Sequence, residues 1–256
     1  MFRVPRFYLP PAQCQEATPF LTGREAHHAV HVLRLRPGDR VTVLDGAGTE
    51  LLCEVRESKP DKVKLTVVEK LSIAPLPYQV VLLQALPKGK IIESIIQKAT
   101  ELGVFRVVPL ISERVVAAPL DQQAALKKAE KWRLVALEAI KQCGSAWLPQ
   151  IDPPITPEQF LRRDESFDLP LIASLRNDSR HPREYFQTFE AQHNRAPQSV
   201  CVWVGPEGDF SPDEVDLIIS AGALPISLGR LVLRTETAAI YCLSILNYEL
   251  QTRLAN

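Results

Sequence analysis

Residues 202–238 read VWVGPEGDFSPDEVDLIISAGALPISLGRLVLRTETA. An apolar strand runs into Gly205-Pro206-Glu207-Gly208, where glycine permits positive φ and lets a ligand approach the main chain closely. Ser211, Pro212 and Glu214 follow as N-cap, first helical residue and third, a capping box that opens a helix over 211–221. A second apolar strand, 225–228, ends in Leu228-Gly229. Beyond it come Leu231, Val232, Leu233 and Arg234, then Thr235 as the expected cap of a final helix over 235–251. Two strand ends with glycine-bearing loops thus converge beside an arginine. Alternating strands and helices imply a mostly parallel sheet covered on both faces, and such sheets bind ligands beyond the carboxyl ends of their strands. From the residues alone, the segment is either a ligand site or a pair of ordinary βα turns.

The alternation extends upstream. QVVLLQA (79–85) reads as a buried strand and KIIESIIQKATELG (90–103) as an amphipathic helix. Ile91, Ile92, Ile95, Ile96, Ala99 and Leu102 share its apolar face, and Gly103 suits its C-terminal cap. FRVVPLI (105–111), LPLIAS (169–174) and SVCVWV (199–204) are further strands, and 121–142 is a long helix. Before residue 71 the pattern differs. RVTVLDG (40–46), ELLCEVRE (50–57) and KVKLTVVEK (62–70) are short, rich in Val, Leu and Thr, and separated by Gly, Pro and Asp turns. A short helix is expected over 23–34, with Ala26, Val30 and Leu33 on one face. LSIAPLPY (71–78) carries two prolines and no charge. The boundary falls there, giving a β-barrel domain over 1–73 and an α/β domain over 74–256.

The chain has 256 residues, 46% hydrophobic and 23% charged, enough apolar surface for a large core and too much for a disordered chain. Residues 1–150 hold 21 Lys and Arg against 15 Asp and Glu, a net of +6; the remainder nets −6. Either this basic front suits an anionic partner or the asymmetry is chance. No apolar run reaches the roughly 18 residues of a membrane span, and MFRVPRFYLPP lacks the apolar core of a secretory signal. The chain is read as cytoplasmic. Cys14, Cys53, Cys143, Cys201 and Cys242 are scattered without metal-ligand spacing, so no metal is expected. GxGxxG, GxxxxGK[ST], GxSxG and HExxH are all absent, which argues against dinucleotide, P-loop, serine-hydrolase and metalloprotease chemistry.

GPEG followed by LGRLVLRTETA resembles the SPOUT class of methyltransferases. More narrowly, the chain resembles the RsmE family, the ribosomal RNA small subunit methyltransferases E. The resemblance includes Arg3-Val4-Pro5-Arg6-Phe7-Tyr8, His28 with Val32-Leu33-Arg34, and Pro87-Lys88-Gly89-Lys90. It continues through Gln97-Lys98-Ala99-Thr100-Glu101-Leu102-Gly103, Glu138-Ala139 and Gln142-Cys143-Gly144. The family often has a second glycine where this chain has Asp209, and an arginine where it has Ser145-Ala146.

The resemblance implies a PUA-like β-barrel followed by a SPOUT α/β domain with a C-terminal deep trefoil knot, working as a homodimer. It implies methyl transfer from S-adenosylmethionine to N3 of one uridine of 16S rRNA in the small subunit, uridine 1498 in the family's substrate. Gly205, Gly208, Leu228, Gly229 and Leu233 would hold the cofactor. Arg234 would stabilise an anionic uracil, or else pair with Glu236. Glu207 would orient substrate or take its proton, or else hold its loop through backbone N–H groups. Arg3, Arg6, Tyr8, Arg34, Arg36, Lys88 and Lys90 are the candidate RNA contacts, Tyr8 by stacking and the cations on phosphates. Two alternatives stay open: another SPOUT activity, on transfer RNA or a ribose 2′-hydroxyl, and a non-catalytic RNA-binding relative.

Overall fold

The computed structural model describes residues 4–16, 18–115, 121–176 and 178–252. The chain divides into two compact units: residues to Pro75 together with Leu137–Leu148, and Leu76–Ala136 together with the residues from Pro149 on. A sequence boundary at 73/74 does not anticipate the return of 137–148 to the first unit.

In the first unit, strands β1 (Arg6–Tyr8), β2 (Phe20–Thr22), β3 (Arg40–Leu44), β4 (Thr49–Lys59) and β5 (Lys62–Ser72) form one sheet in the order β1-β3-β4-β5-β2. The β1–β3 pair is parallel and the rest are antiparallel. Leu51, Cys53, Val55, Val63 and Leu65 alternate inward and are fully buried with Phe7, Leu21, Val41 and Val43. Register shifts at Leu52/Cys53 and Val55/Glu57 are bulges, which raise the local twist and curl the two long strands around that core. The expected helix over 23–34 is α1 (Gly23–His27), continued as a π-helical turn over His28–Val32. The wider turn breaks the 3.6-residue period. Ala26 and Ala29 therefore face the core, while Leu33 is exposed.

Residues 137–148 carry the end of a long helix into this unit. Gly144 closes that helix at φ +85°, its N–H donating to Ile140 O at 2.7 Å. The Arg6 guanidinium lies across the same helix end, donating to the carbonyls of Lys141 (3.3 Å) and Gln142 (3.2 Å). A Cβ on Gly144 would sit 2.7 Å from that guanidinium. Gly144 is thus required both for its backbone angle and for the space Arg6 occupies.

The second unit contains β6 (Gln79–Ala85), α2 (Ile91–Glu101), β7 (Arg106–Leu110), most of α3 (Gln122–Cys143), β8 (Gln150–Ile151) and α4 (Pro157–Leu161). It continues with β9 (Leu169–Ala173), α5 (Pro182–His193), β10 (Ser199–Val204), α6 (Pro212–Ser220), β11 (Leu224–Ile226) and α7 (Thr235–Thr252). Its six strands are all parallel, in the order β11-β9-β10-β6-β7-β8. One face packs Val81, Leu83, Val108, Ile172, Cys201 and Trp203 against Phe160 of α4 and Ile218 of α6. Against the other sides of the strands, α7 packs on α2, β6 and β10. Sequence reading missed α4 and α5, although both carry start signals: a Thr156/Gln159 capping box with Pro157, and His181 as N-cap with Pro182. Burial pushes the thiols of Cys53, Cys201 and Cys242 up to about 12, which leaves them unreactive at neutral pH. Among the described residues no helix is long and apolar enough to cross a membrane, and no cluster of potential ligands could hold a metal ion.

At the amino ends of β9 and β10, the Asp168 carboxylate accepts from Arg195 through two nitrogens (2.9 and 2.7 Å) and from the N–H of Gln198 (2.7 Å). The Arg195 guanidinium, with those backbone donors, holds its carboxyl down at about 2. Because the folded value lies below the unfolded one, this stabilisation is complete above about pH 4 and is lost as pH falls through about 2. Urea unfolding at pH 7 should therefore find Asp168→Asn less stable by about 1–2 kcal/mol. That gap should narrow below about pH 4; a gap that stays constant down to pH 3 would show that the charge of Asp168 is immaterial.

Candidate functional site

Beyond the carboxyl ends of β9, β10 and β11 lies an open cleft of about 260 Å³. Three segments wall it: 173–176 after β9, 204–209 after β10, and 227–235 between β11 and α7. The walls are mixed. Leu228, Leu231, Val232 and Leu233 supply apolar surface; Ser174, Arg176, Asp209, Ser227 and Arg230 supply polar groups. Leu231 and Val232 are unusually exposed for apolar residues, at 77% and 78%.

The Gly205–Gly208 loop is shaped by its neighbours. Pro206 O accepts from Asp209 N at 3.0 Å, which closes a tight turn. Positive φ occurs at Asp209 (60°), not at Gly205 or Gly208 as the sequence suggested. Aspartate is one of the few side chains that tolerate the left-handed region, and its Oδ1 also accepts from Phe210 N at 2.8 Å. Gly205 is needed for space instead: a Cβ there would lie 2.6 Å from Asp209 Oδ1. Glu207 Oε1 accepts from Lys88 N at 3.0 Å, tying this loop to the one after β6. Arg114, on the loop after β7, donates to Gly208 O. Buried Glu214 accepts from Ser211 N (2.9 Å) and Glu113 N (3.0 Å), so the expected capping box also anchors the β7 loop.

Thr235 is not the cap of α7. Ala238 N donates to Arg234 O at 2.8 Å, which puts Arg234 at the cap and Thr235 at the first helical position. The Thr235 hydroxyl turns away from its own helix, donating to Gly205 O at 2.6 Å and accepting from Gln84 Nε2 at 2.9 Å.

Gly205, Leu228, Gly229 and Leu233 line the cleft; Gly208 does not, and serves as the carbonyl held by Arg114. Glu207 lines it with one oxygen committed to the Lys88 amide. Arg234 is exposed between the lining residues Leu233 and Thr235 and forms no ion pair with Glu236. Lys88 and Lys90 are exposed on the loop after β6. In the first unit, Arg34 (φ 55°) and Arg36 are exposed, while half-buried Arg6 is committed to the end of α3. Tyr8 is half-buried, its ring beside Gly46. Arg3 lies outside the described residues. Sequence reading did not find Arg114, Arg176 or Arg230. The two that line the cleft, Arg176 and Arg230, lie three and four residues beyond a strand end, the signal that would have found them.

A family described as an RNA methyltransferase domain matches residues 74–247, and one described as an RNA methyltransferase PUA domain matches 21–68. The chain is 34% identical over 241 residues to the ribosomal RNA small subunit methyltransferase E of Bacillus subtilis, covering 93% of each. It is 34% identical to that of Synechocystis over 96% of this chain and 78% of the relative. Among solved structures, a Legionella pneumophila protein with bound SAM superposes with a TM-score of 0.84 at 32% identity, covering 96% of this chain and 98% of that one. The Neisseria gonorrhoeae ribosomal RNA small subunit methyltransferase E, bound to S-adenosyl methionine, gives 0.82 at 25% identity with the same coverage. With an RNA methyltransferase domain behind a PUA domain and these relatives across nearly its whole length, the chain belongs to the ribosomal RNA small subunit methyltransferase E family.

Proposed function

We propose that this chain transfers the methyl group of S-adenosylmethionine to N3 of a uridine in 16S rRNA of the small subunit, the family's uridine 1498. One observation carries the reading: the cleft at the carboxyl ends of β9, β10 and β11, with the exposed Arg234 between its lining residues Leu233 and Thr235. The residues fit the cofactor. Leu228 and Leu233 offer an apolar slot for an adenine, and at Gly205 and Gly229 no side chain stands between the main chain and a ligand. Gly208 supports that loop from behind. When bound, the cofactor supplies an electrophilic methyl carbon.

The remaining work falls to the chain. Uridine N3 is a weak nucleophile until it loses its proton, so a donor aimed at the ring oxygens lowers the barrier. Arg234 supplies that donor, at the cap of α7, where the helix dipole already favours an anion. The Lys88 hydrogen bond supports the reading in which Glu207 holds its loop; its second oxygen is left to orient the uracil. Lys88, Lys90, Arg34, Arg36 and Tyr8 are our RNA contacts, with a domain of RNA-binding type over 1–73 and a catalytic one over 74–256. We infer a homodimer, since Leu231 and Val232 are apolar surface that a second copy would cover. We also infer the trefoil knot, since α7 returns across β6 and β10 after the 227–234 loop, and a cytoplasmic site of action. A non-catalytic role loses support, because Asp209 keeps the left-handed turn that glycine would supply.

Small-subunit particles from a strain lacking the enzyme should gain one methyl group, mapped to uridine N3, on incubation with the wild-type chain; a 2′-O-methyl or transfer RNA product would replace this reading. Arg234→Ala should bind S-adenosylhomocysteine as the wild type does, yet methylate roughly a hundredfold more slowly in single turnover. Lysine should rescue in part, lacking the planar fork. Wild-type rates for Arg234→Ala would end its catalytic role.

The basic groups make a separate prediction. Neutralising Arg34 and Arg36 should flatten the dependence of RNA affinity on salt by about one unit per lost phosphate contact. Arg6→Ala should instead lower the melting temperature, through the end of α3. An unchanged salt slope would move the RNA face elsewhere.

A further inference from the structure

Gln84, next to last in β6, is fully buried, and its carboxamide has a single orientation. Nε2 donates to Ala85 O and to Thr235 Oγ1, both at 2.9 Å. With both N–H groups spent on acceptors, the amide oxygen must face the other way, where it has no hydrogen-bond partner among the described residues. Thr235 is also buried, 4% exposed. Its oxygen accepts from Gln84, so its one hydrogen is directed to Gly205 O at 2.6 Å. A relay of fixed direction therefore runs from β6, through the first residue of α7, to the first residue beyond β10.

A buried amide oxygen without a partner is a standing cost to stability. An apolar side chain of the same length would remove it. What the amide provides in return is position. Gly205 has no side chain to hold it, and its carbonyl is the handle by which the 205–206 peptide plane is fixed. Thr235 meanwhile fixes the start of α7 and, with it, the adjacent Arg234. Gly205 and Thr235 stand on different walls of one cleft.

We propose that Gln84 and Thr235 are positioning residues for the methyl-transfer site, setting the distance between the 204–209 wall and the start of α7. The proposal rests on the cofactor reading above. Gln84→Met removes the first link of the relay and the unpaired oxygen together, leaving the Thr235 hydroxyl without the donor that fixes its direction. It should melt at the wild-type temperature or higher, yet bind S-adenosylhomocysteine about five- to tenfold more weakly. Amide hydrogen exchange at Asp209, whose N–H closes the loop turn, should accelerate by a similar factor. Thr235→Val should weaken binding likewise and also lower the melting temperature, because it strands Gly205 O and the Gln84 amide. Thr235→Ser keeps the hydroxyl and should stay within about twofold of wild type in both measurements. A purely structural role predicts that affinity follows melting temperature through the series. Wild-type affinity and wild-type exchange in Gln84→Met would overturn the proposal, as would a serine variant no better than valine. If the wild-type chain itself fails to bind S-adenosylhomocysteine, the cofactor reading fails, and loop exchange in Gln84→Met then decides the relay by itself.

Discussion

The cleft depends on one pairing: β10 lies beside β6, parallel and in register, with Val204 opposite Gln84. Because the two strands end level, the loops that leave them emerge side by side. Glu207 can then reach the Lys88 amide, and Gln84 can reach a residue bonded to Gly205. A slip of one residue would turn each strand's side chains to the opposite face. It would remove Trp203 from Phe160, whose rings meet edge to face at 5.3 Å. Packing on one face of the sheet thus fixes the register that the site at its edge requires.

Strand order explains why a cleft opens there. The chain builds β6, β7 and β8 outward in one direction, then crosses to place β9 two positions away on the other side. β10 fills the gap between β9 and β6, and β11 extends the far edge. Where winding reverses in a parallel sheet, adjacent loops diverge and leave a crevice. The segments after β9, β10 and β11 bound that crevice.

The elements of the second unit were legible wherever a strong period or a cap marked them, as with α2, with α6 behind Ser211 and Glu214, and with the apolar run of β10. What could not be read was adjacency. Nothing in residues 169–174 tells that β9 neighbours both β10 and β11, so Arg176 went unnoticed as a wall of the cleft. Roles that depend on a distant partner were hidden for the same reason. Thr235 looks like a helix cap from its neighbours and becomes a tertiary bond only once Gly205 is beside it. Arg6 looks like an RNA contact until the end of α3 is brought against it. The π-helical turn after α1 defeated the expected face because a single widened turn leaves no compositional mark.

Net charge misleads for a related reason. Residues 151–256 carry −6, yet Arg176, Arg230 and Arg234 all lie on the loops around the cleft. Topology places them there: in a parallel sheet with helical crossovers, every strand delivers its carboxyl end, and every following helix its amino end, to the same side. Helix dipoles and the cations Arg230 and Arg234 therefore share that edge, where Arg176 is paired with Asp178 and Asp216. At α6 the free N–H groups are already taken by Ser211 and Glu214. At α7 the hydroxyl of the first helical residue, Thr235, is turned to Gly205. The hydroxyl at the start of α7 thus joins two walls of the cleft, while the cap position beside it carries Arg234.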